Sequence, residues 1–170
     1  MKKVFSVLAV AALFLVCLTG CNQDKTYADL LTQSKGWVLS TATSNPPYEM
    51  QDHSLVSDLM TEGYLTDFEK DYIITFNADG SMYVKPGKTV APNDEVGYTA
   101  ETRLGTWRFD NELIPTLLYM QVPFFMDEDV EVCKILSLTK DELKLSCTIN
   151  DDDPYAKGTY SFILTYVPAK

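Results

Sequence analysis

The segment Tyr72-Ile73-Ile74-Thr75-Phe76-Asn77-Ala78-Asp79-Gly80-Ser81-Met82-Tyr83-Val84 decides the fold of this chain. Its two flanks are rich in β-branched and aromatic residues, which suit a pleated, half-buried surface. Between the flanks, Asn77-Ala78-Asp79-Gly80 supplies turn residues, and Gly80 can adopt the positive φ that a tight turn requires. The segment therefore predicts a β-hairpin.

Similar alternations of strand and turn patterns occur on both sides of the hairpin. Further strands are predicted at residues 35–41, 102–109, 113–122, 130–138, 143–149 and 159–167. With the hairpin, these segments make about eight strands in sequential order, most of them joined by short turns. The sequence therefore predicts an all-β protein, an antiparallel up-and-down β-barrel of about eight strands that leaves no exposed edge.

Two short helices are predicted beside the strands. Thr26 can cap the first, because Asp29 follows three residues later, and Gly36 ends it. The second lies in the connection between the first two strands, where Asp52 can cap a helix that ends at Gly63. The apolar residues of this second helix are Leu55, Val56, Leu59 and Met60.

The connection between the first two strands is long. Asn45-Pro46-Pro47 is predicted to end the first strand, because proline cannot donate a hydrogen bond to a sheet. Residues 44–70 then form a connection of a length typical of a lid or a binding loop. A helix that only seals an edge of the core is the alternative.

The first 21 residues combine positive charge, an apolar run and a cysteine. Lys2 and Lys3 precede an apolar run over residues 4–16, and Leu18-Thr19-Gly20-Cys21 follows. The run is shorter than the ~20 residues that a membrane-spanning helix needs. This order resembles a bacterial lipoprotein signal, and the resemblance implies that residues 1–20 are removed, that Cys21 carries lipid, and that residues 21–25 tether one domain over residues 26–170.

Charge restricts the partners of the processed chain. The full chain has 24 acidic and 14 basic side chains, and removal of residues 1–20 takes away two lysines and no acidic residue. A strongly acidic surface repels phosphates and anionic lipid headgroups. Nucleic acid is therefore not expected as a partner, and contact with a membrane is expected to come through the lipid.

Cys133 and Cys147 are the cysteines that remain beside Cys21 in the processed chain. If Leu138 faces Leu143 across a turn, Val132 and Leu136 share the face of Cys147, and Cys133 points to the opposite face. A disulfide is then excluded. A one-residue bulge would restore the pairing, so the sequence leaves both arrangements open.

Several short segments together resemble a known family. They are Gly36-Trp37 in the first strand, the hairpin from Phe76 to Tyr83, Gly105-Thr106-Trp107 in a middle strand, and Leu136-Ser137-Leu138 with Leu143-Lys144-Leu145. This arrangement resembles the lipocalin plan within the calycin group, and more narrowly the small lipocalin-like lipoproteins of Gram-negative bacteria. The resemblance covers most of residues 26–168. It implies an outer-membrane lipoprotein of the cell envelope, facing the periplasm or the cell surface.

Catalytic and metal-binding patterns are weak in this sequence. His53 is the only histidine, so any histidine-dependent catalysis would need it. The acidic runs 127–129 and 151–153 lack the spacing of a calcium-binding loop and are interpreted as solvated turns. We therefore expect no enzyme activity, no cofactor and no metal, although a hydrolase with paired carboxylates stays open.

Aromatic residues supply the candidate binding site. Trp37, Phe76, Tyr83 and Trp107, with Arg103 as a polar contact, are predicted to line a cavity inside the barrel. A barrel of eight strands can equally be filled by its own side chains.

Two functions follow from these alternatives. An open barrel predicts a noncatalytic binding module for a small apolar or amphiphilic ligand, with residues 44–70 at its mouth. A filled barrel predicts an interaction or assembly subunit that meets an envelope protein, using its surface and Pro123-Phe124-Phe125-Met126.

Overall fold

A computed structural model describes residues 25–33, 35–89, 91–92, 97–124, 131–151 and 157–170 of this chain. Within these residues the helices are α1 (Tyr27–Leu31) and α2 (Asp67–Lys70). The strands are β1 (Trp37–Glu49), β2 (Leu55–Asp58), β3 (Ile73–Phe76), β4 (Ser81–Lys85), β5 (Thr102–Thr106), β6 (Arg108–Phe109), β7 (Leu117–Met120), β8 (Glu131–Leu138), β9 (Leu143–Asp151) and β10 (Gly158–Pro168).

All ten strands belong to one antiparallel sheet. Its order is β5-β4-β3-β1-β10-β9-β8-β7-β6, and β2 pairs with β1 beside this path. The two ends of the path, β5 and β6, are separated in the chain only by Trp107, so they are two parts of one extended segment. The sheet therefore forms a nearly closed barrel in which eight extended segments follow one another, and this confirms the predicted up-and-down β-barrel.

The connections fall into two groups, because neighbouring strands run in opposite directions. Turns 77–80, 110–116 and 139–142 lie at one end, with α1 and the start of β1; we call this the closed end. Connections 49–54 and 86–101 lie at the opposite end, which we call the loop end. Segment 59–72 joins β2 and β3, which run in the same direction beside β1, and its contacts with Tyr48 and Ala91 place it on the side of the loop end. At the closed end, the Trp107 amide donates to the Gly80 carbonyl (2.8 Å), and the Ile135 amide donates to the Thr116 carbonyl (2.8 Å).

One hydrophobic core lies between the strands. Alternate residues of β10 contribute Tyr160, Phe162, Leu164 and Tyr166 to it. Strands β1, β3, β4, β7, β8 and β9 also contribute buried side chains, so the core is continuous from one end of the barrel to the other. A second, smaller cluster joins Phe68 and Tyr72 to Val84 and Ala91 at the loop end.

The N-terminal helix forms where the sequence predicts it. Thr26 and Asp29 make the predicted capping box, in which the Asp29 amide donates to Thr26 Oγ1 (3.1 Å) and the Thr26 amide donates to Asp29 Oδ2 (3.0 Å). Helix α1 ends at Leu31, whose side chain is buried in the core. The Leu31 carbonyl accepts a hydrogen bond from Trp37 Nε1 (2.8 Å), so the helix is joined to the closed end.

The predicted helix from Asp52 to Gly63 is wrong. Residues 55–58 form strand β2, which pairs with the second half of β1, and the helical turn of this connection is α2. Strand β1 also continues past Asn45-Pro46-Pro47, where we had expected it to end. The prolines are tolerated because they lie at an irregularity in the β1–β2 register, between Thr43 and Tyr48, where a missing amide donor costs little.

Strand β8 contains the bulge that the cysteine pairing requires. Ile135 pairs with Leu145 and Ser137 pairs with Lys144, so Leu136 is an extra residue. The bulge turns Cys133 inward, opposite Cys147, and the two form a disulfide with a Cα–Cα distance of 4.4 Å. For the same reason the side chains of Val132 and Leu136 are exposed. A register without a bulge would have placed them on the same face as Cys147.

The predicted strand over residues 113–122 is shorter than expected. Only residues 117–120 pair as β7, and residues 110–116 form a turn held by side chains. Asp110 Oδ1 accepts from the amides of Thr116 and Leu117, both at 2.9 Å. These local hydrogen bonds compete with a sheet ladder, and Pro115 has no amide hydrogen to offer one.

Several predictions fall outside the described residues. These are the signal segment 1–20, the lipid-bearing Cys21, Phe125 and Met126, and the acidic residues 127–129 and 152–153. Phe124, which is described, is buried in the core. No helix among the described residues is long and apolar enough to cross a membrane.

The disulfide is expected to stabilise the fold measurably. The cysteines are 14 residues apart, and closing a loop of this length lowers the entropy of the unfolded chain by an amount worth about 3 kcal/mol. Cys133→Ala/Cys147→Ala should therefore reduce the free energy of unfolding by about that amount, measured by urea denaturation. Wild type under a reductant is the matched control, and equal stability of its oxidised and reduced forms would contradict the prediction.

Alanine substitutions at Gly36 and Gly63 should distinguish the cost of backbone strain from the cost of a steric clash. Both have positive φ, 73° and 84°, but an added Cβ at Gly36 would lie 2.7 Å from the Ile74 carbonyl oxygen, whereas nothing lies within 4 Å at Gly63. Gly63→Ala should cost about 1 kcal/mol of unfolding free energy, and Gly36→Ala about 3 kcal/mol. Equal losses in the two variants would show that β1 and β3 are not tightly apposed there.

Candidate functional site

Four aromatic side chains meet at the loop end. The ring of Tyr48 lies 4.8 Å from that of Tyr160, 5.3 Å from that of Tyr64 and 6.0 Å from that of Phe162, measured between centroids. Tyr160 and Phe162 are buried, whereas Tyr48 and Tyr64 are half-buried. We call these four residues the aromatic cluster; they present ring surface both to the core and to solvent.

Backbone geometry brings the aromatic cluster together. Strand β1 carries Tyr48 because it runs past the two prolines, and the segment after β2 brings Tyr64 beside it. The hydroxyl of Tyr48 donates to Asp151 Oδ2 (2.8 Å), at the end of β9. This hydrogen bond spans 103 residues and joins the first strand to the ninth.

Burial alters the acidity of the tyrosines in the aromatic cluster. It raises the pKa of Tyr64 to about 12, and the negative charges of Glu69 and Asp151 add to this effect. It also raises the pKa of Tyr48 well above its ordinary value, and the hydrogen bond to Asp151 contributes because it is made by the neutral phenol. Both hydroxyls therefore remain neutral hydrogen-bonding groups at physiological pH.

Tyr166 places a polar atom inside the apolar core. Its side chain is buried on β10, and its hydroxyl oxygen has no hydrogen-bond partner among the described residues. Burial raises the pKa of this phenol, so it is neutral and can both donate and accept. A buried hydroxyl without a partner costs about 1–3 kcal/mol, which is why such groups in proteins usually contact water or a ligand.

The inner face of β10 connects these two features. Tyr160, Phe162, Leu164 and Tyr166 alternate along the strand and all face inward. They form a row from the aromatic cluster to the buried hydroxyl. A molecule with an apolar body and one polar group has the chemistry that complements such a row.

The segments between β2 and β3 and between β4 and β5 cover part of the loop end. Phe68 of α2 and Tyr72 pack with Val84 and Ala91, and the Tyr98 amide donates to the Tyr72 hydroxyl (3.0 Å). Gly97 lies close to this cluster, since an added Cβ would lie 2.7 Å from that of Ala91. Residues 59–72 are therefore packed against the barrel, not extended into solvent.

Three of the five predicted lining residues lie near the closed end. Trp37 is fully buried, and its indole nitrogen donates to α1. Phe76 is buried with its ring perpendicular to that of Trp107 at 6.0 Å. Trp107 is half-buried, and its ring centroid lies 5.4 Å from that of Phe109. Its Nε1 atom donates to the Asn77 carbonyl (2.9 Å).

The other two predicted lining residues are placed differently. Tyr83 and Arg103 are partners across β4 and β5. Tyr83 alternates with Met82 and Val84, which are fully buried, so it faces the outside of the barrel, and Arg103 is exposed. The structure thus brings Phe76 and Trp107 together but does not gather all five residues into one site.

The aromatic cluster and Tyr166 were missed in the sequence. The alternation of Tyr160, Phe162, Leu164 and Tyr166 in the last strand was a signal that could have identified the inner row. Tyr48 had no such signal, because it follows two prolines that were expected to end the strand. Asp151 stood in an acidic run that was interpreted as a solvated turn.

His53 lies at the tip of the β1–β2 hairpin. Its Nδ1 atom is 2.8 Å from Glu49 Oε1, and its backbone is left-handed with φ 64°. The neighbouring hydroxyl of Ser54 donates to Asp52. Over the described part of the chain, no three histidine, cysteine, aspartate or glutamate side chains are arranged to hold a metal ion.

Comparisons with known proteins give no relative for this chain. No protein-family model, no curated protein and no solved structure matches it. The arrangement of its own residues is therefore the basis for a functional proposal.

The half-buried position of Tyr64 predicts a late tyrosine titration. Its neutral form is favoured in the folded protein up to about pH 12, while the unfolded chain ionises near the ordinary value of 10.0. The stabilisation is therefore complete below pH 10 and is lost as the pH rises to about 12. Tyr64→Phe should remove one late step in the absorbance at alkaline pH and make the fall in stability over this interval smaller.

Tyr27→Phe is the matched control for this titration, because Tyr27 lies exposed on α1, away from the aromatic cluster. An unchanged late step in Tyr64→Phe would mean that another tyrosine is responsible for it.

Proposed function

We propose that this protein is a lipid-anchored, lipocalin-like binding module of the cell envelope that holds a small amphiphilic ligand and performs no catalysis. The ligand enters past the aromatic cluster at the loop end, and its apolar body lies along the inner row of β10. Its polar group forms a hydrogen bond with the hydroxyl of Tyr166.

The buried hydroxyl of Tyr166 is the observation that carries this proposal. Tyr166 is 1% exposed, and its oxygen has no partner among the described protein groups. Phenylalanine would fill nearly the same volume without the cost of burying a hydroxyl. A polar atom bound in the interior would give this hydroxyl a partner and offset that cost.

The sequence of residues 1–21 supports the anchor. Its charged start, apolar run and Leu18-Thr19-Gly20-Cys21 fit lipid attachment at Cys21 and an outer-membrane lipoprotein that faces the periplasm or the cell surface. Mass spectrometry of the protein from membranes tests this part alone. An acylated N-terminal Cys21 is expected, and an unmodified cysteine would remove the anchor from the proposal.

Ligand binding is tested with an apolar fluorescent probe, N-phenyl-1-naphthylamine, and with two competitors of equal chain length, decanol and decane. Wild type should bind the probe saturably, and decanol should displace it better than decane. Tyr166→Phe should weaken the binding of decanol by about fivefold to tenfold, which corresponds to the loss of one hydrogen bond. The binding of decane should not change.

Tyr119→Phe is the matched control, since Tyr119 lies on the outer face with Arg108 stacked on its ring at 3.6 Å. This variant should bind like wild type.

A barrel filled by its own side chains would give the opposite result in the binding assay. If the core is sealed, as an interaction or assembly subunit requires, no probe binds saturably. Tyr166→Phe is then more stable than wild type, because it removes a hydroxyl that is buried without a partner. Both findings together would overturn ligand binding and favour a protein partner in the envelope.

A further inference from the structure

The turn between β6 and β7 carries two large aliphatic side chains into solvent. Leu113 is 83% exposed and Ile114 is 72% exposed, the two highest values among the large hydrophobic residues of the described chain. They are adjacent, and they lie at the tip of a turn, not on the surface of the sheet. Contiguous apolar groups on a protein surface can mark a contact with a partner or a membrane.

The turn is shaped so that its tip can leave water at low cost. Asn111 Oδ1 accepts hydrogen bonds from the amides of Leu113 (2.8 Å) and Ile114 (3.2 Å), so neither amide depends on water. Asp110 holds the base of the turn through the Thr116 hydroxyl (2.6 Å) and two amides. These bonds lower the pKa of Asp110 to about 2, so its carboxylate keeps this role at physiological pH.

The chain reaches the barrel at the same end as this turn. The described residues begin at Lys25, just before α1, which packs on the closed end. From Cys21 to Lys25 the chain spans at most about 14 Å when fully extended. A lipid on Cys21 therefore keeps the closed end, with the β6–β7 turn, close to the bilayer surface.

Charge favours the same orientation. At the closed end, the described residues of segments 25–36, 77–80, 107–116, 139–142 and 168–170 include six acidic and five basic side chains. At the loop end, those of segments 49–54, 59–72 and 86–101, with Glu131, Asp151 and Lys157, include nine acidic and three basic ones. An anionic bilayer repels the loop end more strongly than the closed end.

We propose that Leu113 and Ile114 insert shallowly into the bilayer interface as a second membrane contact, which holds the barrel with its loop end pointing away from the membrane. The occupant of this surface is the acyl region of the lipid, reached by two side chains. This proposal rests on the lipid anchor of the proposed function, because that anchor brings the closed end and its turn to the bilayer surface. It leaves the mouth of the barrel open to the aqueous compartment.

Tryptophan fluorescence tests the insertion directly. Ile114→Trp in the lipidated protein, bound to phosphatidylethanolamine–phosphatidylglycerol vesicles, should show blue-shifted emission and quenching by lipids brominated high on the acyl chain. Leu55→Trp is the matched control, since Leu55 is 64% exposed but lies on β2 towards the loop end. It should show neither effect, and wild type gives the background from Trp37 and Trp107.

Measurements on unlipidated protein test the membrane contact of Leu113 and Ile114 independently of the lipid anchor. Leu113→Ser/Ile114→Ser should lower the vesicle partition of the chain starting at residue 22 by on the order of tenfold, with little dependence on salt. Leu55→Ser should leave the partition unchanged. If Cys21 proves unacylated but this difference remains, only the anchor fails.

The contrary result is equally clear. If Ile114→Trp is quenched no more than Leu55→Trp while Cys21 is acylated, the anchor stands and the second contact is overturned. Crosslinking from position 114 to an envelope protein would likewise overturn it, because the tip would then be covered by a protein.

Discussion

The pairing of β1 with β10 is the constraint on which the rest of the structure depends. Its register runs from Trp37 opposite Pro168 to Asn45 opposite Ser161. The two strands come from opposite ends of the described chain, so their pairing must overcome a large loop-closure entropy. Once it forms, the sheet has no long free edge, and the inner faces of all its strands are removed from water together.

Strand irregularities then decide which side chains face inward. Register shifts occur in the β1–β10, β4–β5 and β8–β9 pairs, and each reverses the alternation beyond it. The shift at Leu136 is the clearest case, because it turns Cys133 towards Cys147 and leaves Leu136 outside. A strict alternation cannot describe such a sheet, yet the bulges are what fit it to the curvature of a barrel.

The two ends of the barrel differ in chemistry. At the closed end α1 packs on the barrel, and its last carbonyl accepts a hydrogen bond from Trp37. This end carries a nearly balanced set of charges and an exposed aliphatic tip. The loop end is acidic and carries the aromatic cluster, with the Tyr48 hydroxyl on Asp151. This polarity agrees with the proposal that one end faces a membrane and the other receives a ligand.

The sequence by itself determined the β-barrel, the hairpin at Gly80 and the capping box of α1, because these depend on local periodicity and on contacts between near neighbours. It also restricted the pairing of the cysteines to a register with a bulge. Only the tertiary structure decided that β1 continues past its prolines, that residues 55–58 pair with it, and that Tyr83 and Arg103 lie outside. It alone placed Tyr48 beside Tyr160 and left the Tyr166 hydroxyl without a partner. These features depend on contacts between residues far apart in the chain, whose register no local pattern encodes.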